Sequence, residues 1–166
     1  MTKVYFQEFL DIINPIINNK EFLKRKDYAH HENESVYDHS MKVAFSAYLC
    51  AKKLNLDYKS AAIGGLLHDF YYEDWQKNHV HKKFFQMHGF VHARQALENS
   101  KKVFPELMNK KVENIIVRHM FPLNIVPPKY AESWIVSLVD KKCSMYVLKH
   151  PKKCLKYVGI RKGSKS

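Results

Sequence analysis

Glycine and proline are scarce in this sequence, and no stretch of it stays apolar for long. Five glycines and six prolines in 166 residues leave no room for an extended low-complexity linker. No apolar run approaches the roughly 20 residues that a transmembrane helix needs. Residues 1–8 mix charges into their apolar stretch, unlike a secretory signal. We therefore predict a cytoplasmic protein that has no membrane partner.

Cysteine is also rare. Cys50, Cys143 and Cys154 are an odd number of cysteines at wide spacings. This pattern excludes a disulfide framework and a CxxC metal knuckle. We expect the three thiols to be reduced and partly buried, as most free cysteines are.

Basic residues, in contrast, are abundant. Lysine and arginine number 28 against 16 acidic residues, which gives a net charge of +12. Such a surplus attracts nucleotides, phosphorylated metabolites and nucleic acid. A hydrophobic fraction of 46% and an aromatic fraction of 13% are typical of a folded chain. We predict one helical domain over residues 1–160, followed by a basic, frayed tail at 161–166.

Apolar residues recur at helical spacing along most of the chain. Pro15 is expected to kink or break the first helix, Ser35 to cap the second, and small residues such as Gly64 and Gly65 to let the third approach its neighbours closely. The pattern shows no convincing strand, and we read residues 30–34 as a loop. The predicted helices span residues 4–17, 36–54, 58–69, 92–103, 111–120 and 130–148, with an irregular excursion at 70–89. The fold class is therefore all-α, a compact helical bundle.

Five ionisable or metal-binding side chains share helix faces with apolar residues or end an apolar helix: His39, His68, Asp69, His119 and Asp140. An unpaired carboxylate in a core would neutralise or destabilise the fold. One divalent cation satisfies two carboxylates and several imidazoles together, and helix bundles commonly build metal sites in this way. The five residues therefore predict a metal site.

These residues, in this order, resemble the HD-domain superfamily of metal-dependent phosphohydrolases. The stretch IGGLLHD at 63–69 is similar to its central motif AGLLHD, YDHS at 37–40 to the helix with the first histidine, and SLVDK at 137–141 to the helix with the last aspartate. The resemblance covers about residues 35–148 and fits a small single-domain member of the bacterial type. It implies an HD-type helical bundle that hydrolyses phosphoester bonds, commonly in nucleotides.

By this resemblance, a first metal ion is bound by His39, His68, Asp69 and Asp140. Their nitrogen and oxygen atoms suit manganese, iron, magnesium, nickel, cobalt or zinc without choosing among them. A metal lowers the pKa of bound water from 15.7 towards about 7 and polarises a phosphoryl oxygen. Asp69 is the residue on which catalysis is predicted to depend.

Some branches of the superfamily hold a second ion with two further histidines, and Asp69 then bridges the two ions. His119 matches the later histidine. For the earlier one, His88 and His92 are both candidates, and the distance along the chain to His119 favours His92. The resemblance leaves one ion or two equally open.

Three basic residues near these ligands are candidates for binding phosphate, because positive groups must neutralise its developing charge: Arg94, Arg118 and Lys141. Several phosphodiesterase branches place a lysine three residues after the His-Asp pair, where this chain has Tyr72. Glu73 and Asp74 follow it and are candidates for a general acid or base. The aromatic residues among 70–75 are candidates for stacking on a base.

The sequence thus predicts an enzyme, a metal-dependent phosphohydrolase that acts on a nucleotide or another small phosphorylated metabolite. The alternative is a basic nucleic-acid-binding helical module with a structural or vestigial metal site. Net charge favours it, but no Gly-rich loop, RNA-binding aromatic motif or zinc finger is present. A third hypothesis is a structural helical protein whose histidines are core residues. The oligomeric state is not predicted.

Overall fold

A computed structural model describes residues 2–27, 29–31, 34–71 and 84–149 of the chain. Within these ranges, the helices are α1 Thr2–Ile17, α2 Lys20–Leu23, α3 Val36–Lys53, α4 Tyr58–Leu67, α5 Phe84–Val103, α6 Lys110–Arg118 and α7 Ala131–Lys149. Two short 3-10 turns, Lys24–Asp27 and Pro105–Leu107, follow α2 and α5. The predicted all-α fold class is confirmed.

A pair of short antiparallel strands, β1 Ala29–His31 and β2 Glu34–Ser35, precedes α3. The loop predicted for residues 30–34 is therefore wrong at residues 30, 31 and 34, while residues 32–33 lie outside the described chain. Pairing between the backbones of two short segments needs no alternation of apolar and polar side chains, which was the only strand signal available in the sequence.

Side-chain caps explain where the central helices begin. The Ser35 hydroxyl accepts a hydrogen bond from the Asp38 amide at 3.1 Å, as the sequence predicted. The Asp57 carboxylate accepts one from the Ser60 amide at 3.0 Å, and Asn109 caps α6 in the same way. Each cap satisfies an amide in the first turn that has no carbonyl partner within its own helix.

Helix α4 lies at the centre of the bundle because its glycines let two neighbours approach. A Cβ atom on Gly65 would lie 3.0 Å from the Cα atom of Ala44 in α3. One on Gly64 would lie 2.7 Å from a methyl carbon of Ile115 in α6. The predicted close approach of this helix is confirmed, and it fixes the spacing of α3, α4 and α6.

Helix α1 covers this centre with an apolar face of Phe9, Ile13 and Ile16, all fully buried. Pro15 lies on the exposed face, and the helix continues past it to Ile17. Of the predicted kink or break, the break is therefore wrong, and the kink stays a prediction. A proline in the last turn removes one backbone hydrogen bond at a point where the helix ends in any case.

Helix α5 begins at Phe84, eight residues before the predicted start at residue 92. The irregular excursion predicted for residues 70–89 is thus wrong for its last part, and residues 72–83 lie outside the described chain. The sequence pattern failed here because Gly89 lies inside the helix and the aromatic residues around it have no clear period. A single internal glycine costs only about 1 kcal/mol relative to alanine and does not end a helix.

Two further predictions meet the structure only in part. Cys50 is exposed, so the expected partial burial of this thiol is wrong, whereas Cys143 is half-buried. Cys154 and the tail at 161–166 lie outside the described residues, and the single-domain division stays a prediction. Among the described helices, none combines the length and apolar character needed to cross a membrane.

Candidate metal centre

The His-Asp pair lies where the central helix ends. His68 is the C-terminal cap of α4, and Asp69 follows it. The next residue, Phe70, is fully buried, and its carbonyl accepts a hydrogen bond from the Asn99 side chain of α5 at 2.9 Å. The pair is therefore held by helix α4 before it and by the buried Phe70 after it. This arrangement directs His68 and Asp69 into the bundle.

Three ligand atoms form the first triad, defined as His39, His68 and Asp140. His39 comes from α3 and Asp140 from α7. The Nε2 atom of His39 lies 2.9 Å from Oδ1 of Asp140, and the Nε2 atom of His68 lies 3.6 Å from the same oxygen. All three ligand atoms lie within 4.8 Å of one another, a spacing that one cation can bridge.

The second triad consists of Asp69, His92 and His119, from the end of α4, from α5 and from the end of α6. The Nε2 atom of His92 lies 3.1 Å from Oδ1 of Asp69, and that of His119 lies 3.5 Å from it. These ligand atoms also lie within 4.8 Å of one another.

Asp69 joins the two triads. While its Oδ1 atom faces His92 and His119, its Oδ2 atom lies 3.3 Å from Nε2 of His68. The imidazole rings of His68 and His119 are 4.9 Å apart between centroids. The structure therefore brings together all six residues predicted to bind metal. The alternative ligand, His88, has its side chain outside the described part of the structure.

The two buried histidines at helix ends are oriented by their own helices. The Nδ1 atom of His68 donates to the Gly65 carbonyl at 2.8 Å, and that of His119 donates to the Ile116 carbonyl at 2.7 Å. A histidine that donates through Nδ1 presents Nε2 to a proton or a metal ion. Both Nε2 atoms are buried and make no well-formed hydrogen bond. This is the arrangement that a metal ion would satisfy.

The pKa values of the clustered histidine and aspartate side chains favour a bound positive charge. Burial alone would lower the pKa of His68, but Asp69 and Asp140 raise that pKa well above its usual value. Burial would raise the pKa of Asp69, yet the charge of His68 and the hydrogen bond with His92 hold it well below its usual range. The hydrogen bond with His39 and the nearby charge of His68 keep the pKa of Asp140 low in the same way. Two ionised carboxylates in a buried site favour a divalent cation, which displaces protons when it binds.

The predicted phosphate-binding residues differ in their surroundings. Arg94 is exposed and Arg118 is half-buried. The Lys141 ammonium, however, already donates to the His119 carbonyl at 3.0 Å and to both oxygens of Ser137. Tyr72, Glu73, Asp74 and Trp75 lie outside the described residues.

Sequence reasoning missed the role of Ser137 in this cluster. Its hydroxyl donates to the His119 carbonyl at 2.8 Å, and the residue is buried. The available signal was a small polar residue one turn before Asp140 on the same apolar face.

Comparison with known proteins assigns the fold family. The sequence model of the HD domain matches residues 36–145. The chain belongs to the HD-domain family. The HD-domain match runs from α3 into α7 and includes all six residues of the two triads. No curated protein and no solved structure matches the chain.

Helices α1 and α2 precede the HD-domain match. They nevertheless share its core, because Phe9 and Phe22 belong to the same buried cluster as Leu66 and Phe70 of the central helix and the turn after it. The segment before residue 36 therefore packs on the elements that support the His-Asp pair.

Proposed function

We propose that this HD domain is a metal-dependent phosphohydrolase that acts on a nucleotide or another small phosphorylated metabolite through a metal-activated water. The observation that carries the proposal is the pair of triads joined through the two oxygens of Asp69. Two carboxylates and four imidazoles within one buried cluster form a ligand set that a structural role alone does not require. The predicted cytoplasmic location is part of this proposal.

In this proposal His39, His68, Asp69 and Asp140 hold a first divalent ion, and His92 and His119 add a second position on the other side of Asp69. Such an ion supplies a water of lowered pKa and polarises a phosphoryl oxygen. The ligand set admits manganese, iron, magnesium, nickel, cobalt or zinc.

The chain itself would orient the substrate and keep water away from most of the cluster. His39 and His68 have fully buried side chains, whereas 14% of the Asp140 side chain and 20% of the His92 side chain are exposed. The more exposed of these ligands thus come from α5 and α7, and we expect the phosphoryl group to approach the cluster from the side of His92 and Asp140. Arg94 on α5 and Arg118 at the end of α6 are the candidates for contacting its other oxygens.

The charge of the chain supports a polyanionic substrate. A net charge of +12 raises the local concentration of nucleotides and other phosphorylated molecules and increases their rate of encounter. This support is general, since it identifies a charge class and not a particular compound.

The test is a panel of nucleotides, dinucleoside polyphosphates, cyclic nucleotides and model phosphoesters, assayed for phosphate release with Mn²⁺, Co²⁺, Ni²⁺ or Mg²⁺. Asp69→Asn should reduce the turnover of any substrate found by about 1,000-fold, equivalent to about 4 kcal/mol of transition-state stabilisation. Asp11→Asn is the matched control, because it makes the same chemical change on the exposed face of α1 and should leave turnover unchanged.

Activity that persists in Asp69→Asn would refute the proposed site. The nucleic-acid-binding alternative predicts a different result, namely no turnover and RNA or DNA binding that weakens steeply with salt but survives removal of metal by a chelator. Elemental analysis of the purified protein adds a third readout, because a purely structural helical protein would contain no stoichiometric metal.

A further inference from the structure

Lys141, the residue after Asp140, uses its ammonium group inside the protein. Its Nζ atom lies 2.8 Å from the Ser137 hydroxyl, 3.1 Å from the Ser137 carbonyl and 3.0 Å from the His119 carbonyl. A lysine ammonium has three protons to donate, so these three acceptors account for all of them. The side chain is directed at the end of α6.

The His119 carbonyl receives a second donor from the same helix. The Ser137 hydroxyl lies 2.8 Å from it. His119 is the C-terminal cap of α6, and the carbonyls of a last helical turn have no amide partners within their own helix. Their partial negative charge also favours a nearby cation. Ser137 and Lys141 together, which we call the α7 clamp, therefore fix the backbone at the end of α6.

The other contacts of His119 leave its position dependent on this clamp. Its Nδ1 atom donates back to the Ile116 carbonyl at 2.7 Å, which orients the ring relative to α6. Its Nε2 atom lies 3.5 Å from Oδ1 of Asp69. The ring is thus set by its own helix. The distance from Nε2 to Asp69 depends on the position of that helix end, which the α7 clamp holds together with the packing of α6 against α4.

The same turn of α7 also carries Asp140, whose Oδ1 atom lies 2.9 Å from Nε2 of His39. One turn of helix therefore supplies Asp140 to the first triad and contacts the backbone of His119 in the second triad. We propose that Lys141 is a positioning residue that sets the placement of the second triad relative to the first, and so controls binding of a second divalent ion. This inference rests on the proposed metal-dependent function.

The experiment compares three variants by stepwise titration of the metal-free protein with Mn²⁺. Lys141→Met keeps the length of the side chain and removes its donors, Lys141→Arg keeps charge and donors, and Lys142→Met is the control because Lys142 is the exposed neighbour. Removing a group that orients a metal ligand typically costs 10- to 100-fold in affinity. We expect Lys141→Met to weaken binding of the second ion by about 10-fold. Binding of the first ion should stay within about twofold of wild type.

Lys141→Arg should recover part of that loss, and Lys142→Met should bind both ions like wild type. Equal weakening of both steps in Lys141→Met, or no change in either, would overturn the inference. Should Lys141→Met not fold, Ser137→Ala replaces it, because this change removes one of the two donors to the His119 carbonyl. The same single step should then weaken, by a smaller factor.

A second readout separates this inference from the proposed function. In the metal-free protein, the ring ¹⁵N chemical shifts of His119 should move in Lys141→Met while those of His68 stay in place, because only His119 is held by the α7 clamp. If wild type binds fewer than two ions, these spectra decide the inference alone. Unchanged His119 shifts would refute it even if the protein is a hydrolase, and changed shifts would support it even if no turnover is found.

Discussion

The two triads of the candidate metal centre differ in how the helices hold their side chains. The first triad comes from α3, α4 and α7, and its side chains are 0%, 0% and 14% exposed for His39, His68 and Asp140. In the second triad, His119 is almost fully buried but His92 is 20% exposed, and His119 follows the last residue of its helix. Two of the three first-triad ligands, His39 and Asp140, lie within helices. In the second triad, by contrast, both Asp69 and His119 follow the ends of their helices. We expect the first to be the more rigid of the two.

The largest expected effect is a difference in turnover between the triads. His39→Gln should lower phosphohydrolase turnover by about 1,000-fold, or about 4 kcal/mol, because it removes a fully buried ligand of the first triad. His92→Gln should lower it by only about 10- to 100-fold, because the first triad stays intact. Steady-state assays with saturating Mn²⁺ measure both. Equal losses would show that the triads act as one unit.

Removal of metal should lower stability. An ion present at 100 times its dissociation constant stabilises the fold by about 2.7 kcal/mol, and each kcal/mol changes the Tm of a chain of this size by about 2–4 °C. Calorimetry before and after chelation checks this. The decrease should be smaller in His39→Gln than in His92→Gln, because the first triad is expected to hold the tighter ion. The reverse order would contradict the comparison.

The adjacent glycines of α4 allow each triad to be disturbed separately. Gly65→Ala would press a Cβ against the Ala44 backbone and separate α4 from α3, while Gly64→Ala would press one against Ile115 and separate α4 from α6. Overpacking costs about 1–3 kcal/mol, offset by about 1 kcal/mol of helix propensity. The expected net loss is therefore about 0–2 kcal/mol in each variant, and denaturant unfolding measures it.

The metal binding of these two variants should differ. Gly65→Ala should weaken the ion bound between His39 and His68, whereas Gly64→Ala should weaken the ion that contacts His119. Each variant thus serves as the control of the other, and an identical binding profile for both would show that helix spacing does not distinguish the triads.

The smallest expected effect lies outside the triads. Glu132, almost fully buried, accepts hydrogen bonds from the Lys111 ammonium at 2.7 Å and the Asp57 amide at 3.0 Å. Burial would raise its pKa, but these bonds hold it below the usual 4.5. A lowered carboxyl pKa contributes stability above its unfolded-state value, which is lost as the pH falls through the folded-state value.

Glu132→Gln should therefore cost about 1 kcal/mol at pH 7, a difference that shrinks below about pH 4.5. Urea unfolding at several pH values measures it, and metal binding at pH 7 should be unchanged. A loss of metal affinity in this variant would show that the two regions are coupled.

Five of the six candidate ligands could be predicted from the sequence because each is an unusual residue for its position, whereas His92 was predicted from the family resemblance alone. His39 and Asp140 interrupt apolar faces, and the His68-Asp69 pair ends an apolar helix. Their order along the chain also matched the HD-domain pattern. Local features of this kind need no knowledge of how the helices are arranged.

What the sequence could not predict depends on contacts between helices. The contacts of Lys141 could not be predicted, because the His119 carbonyl reaches its ammonium group only after α6 and α7 pack together. Its predicted role in binding phosphate stays a prediction. The early start of α5 was missed for a local reason, because Gly89 and its aromatic neighbours obscured the helical period.

The hydrogen bonds from Nδ1 of His68 and His119 have a consequence for how the centre assembles. Each imidazole bonds to a carbonyl three residues earlier in its own helix, so four consecutive residues encode its orientation. Each of these two helix ends can therefore orient its imidazole ring before contacts between distant parts of the chain form. Tertiary folding then brings together two helix ends whose imidazole rings are already oriented. The conformational entropy that remains to be lost when a cation binds is therefore smaller.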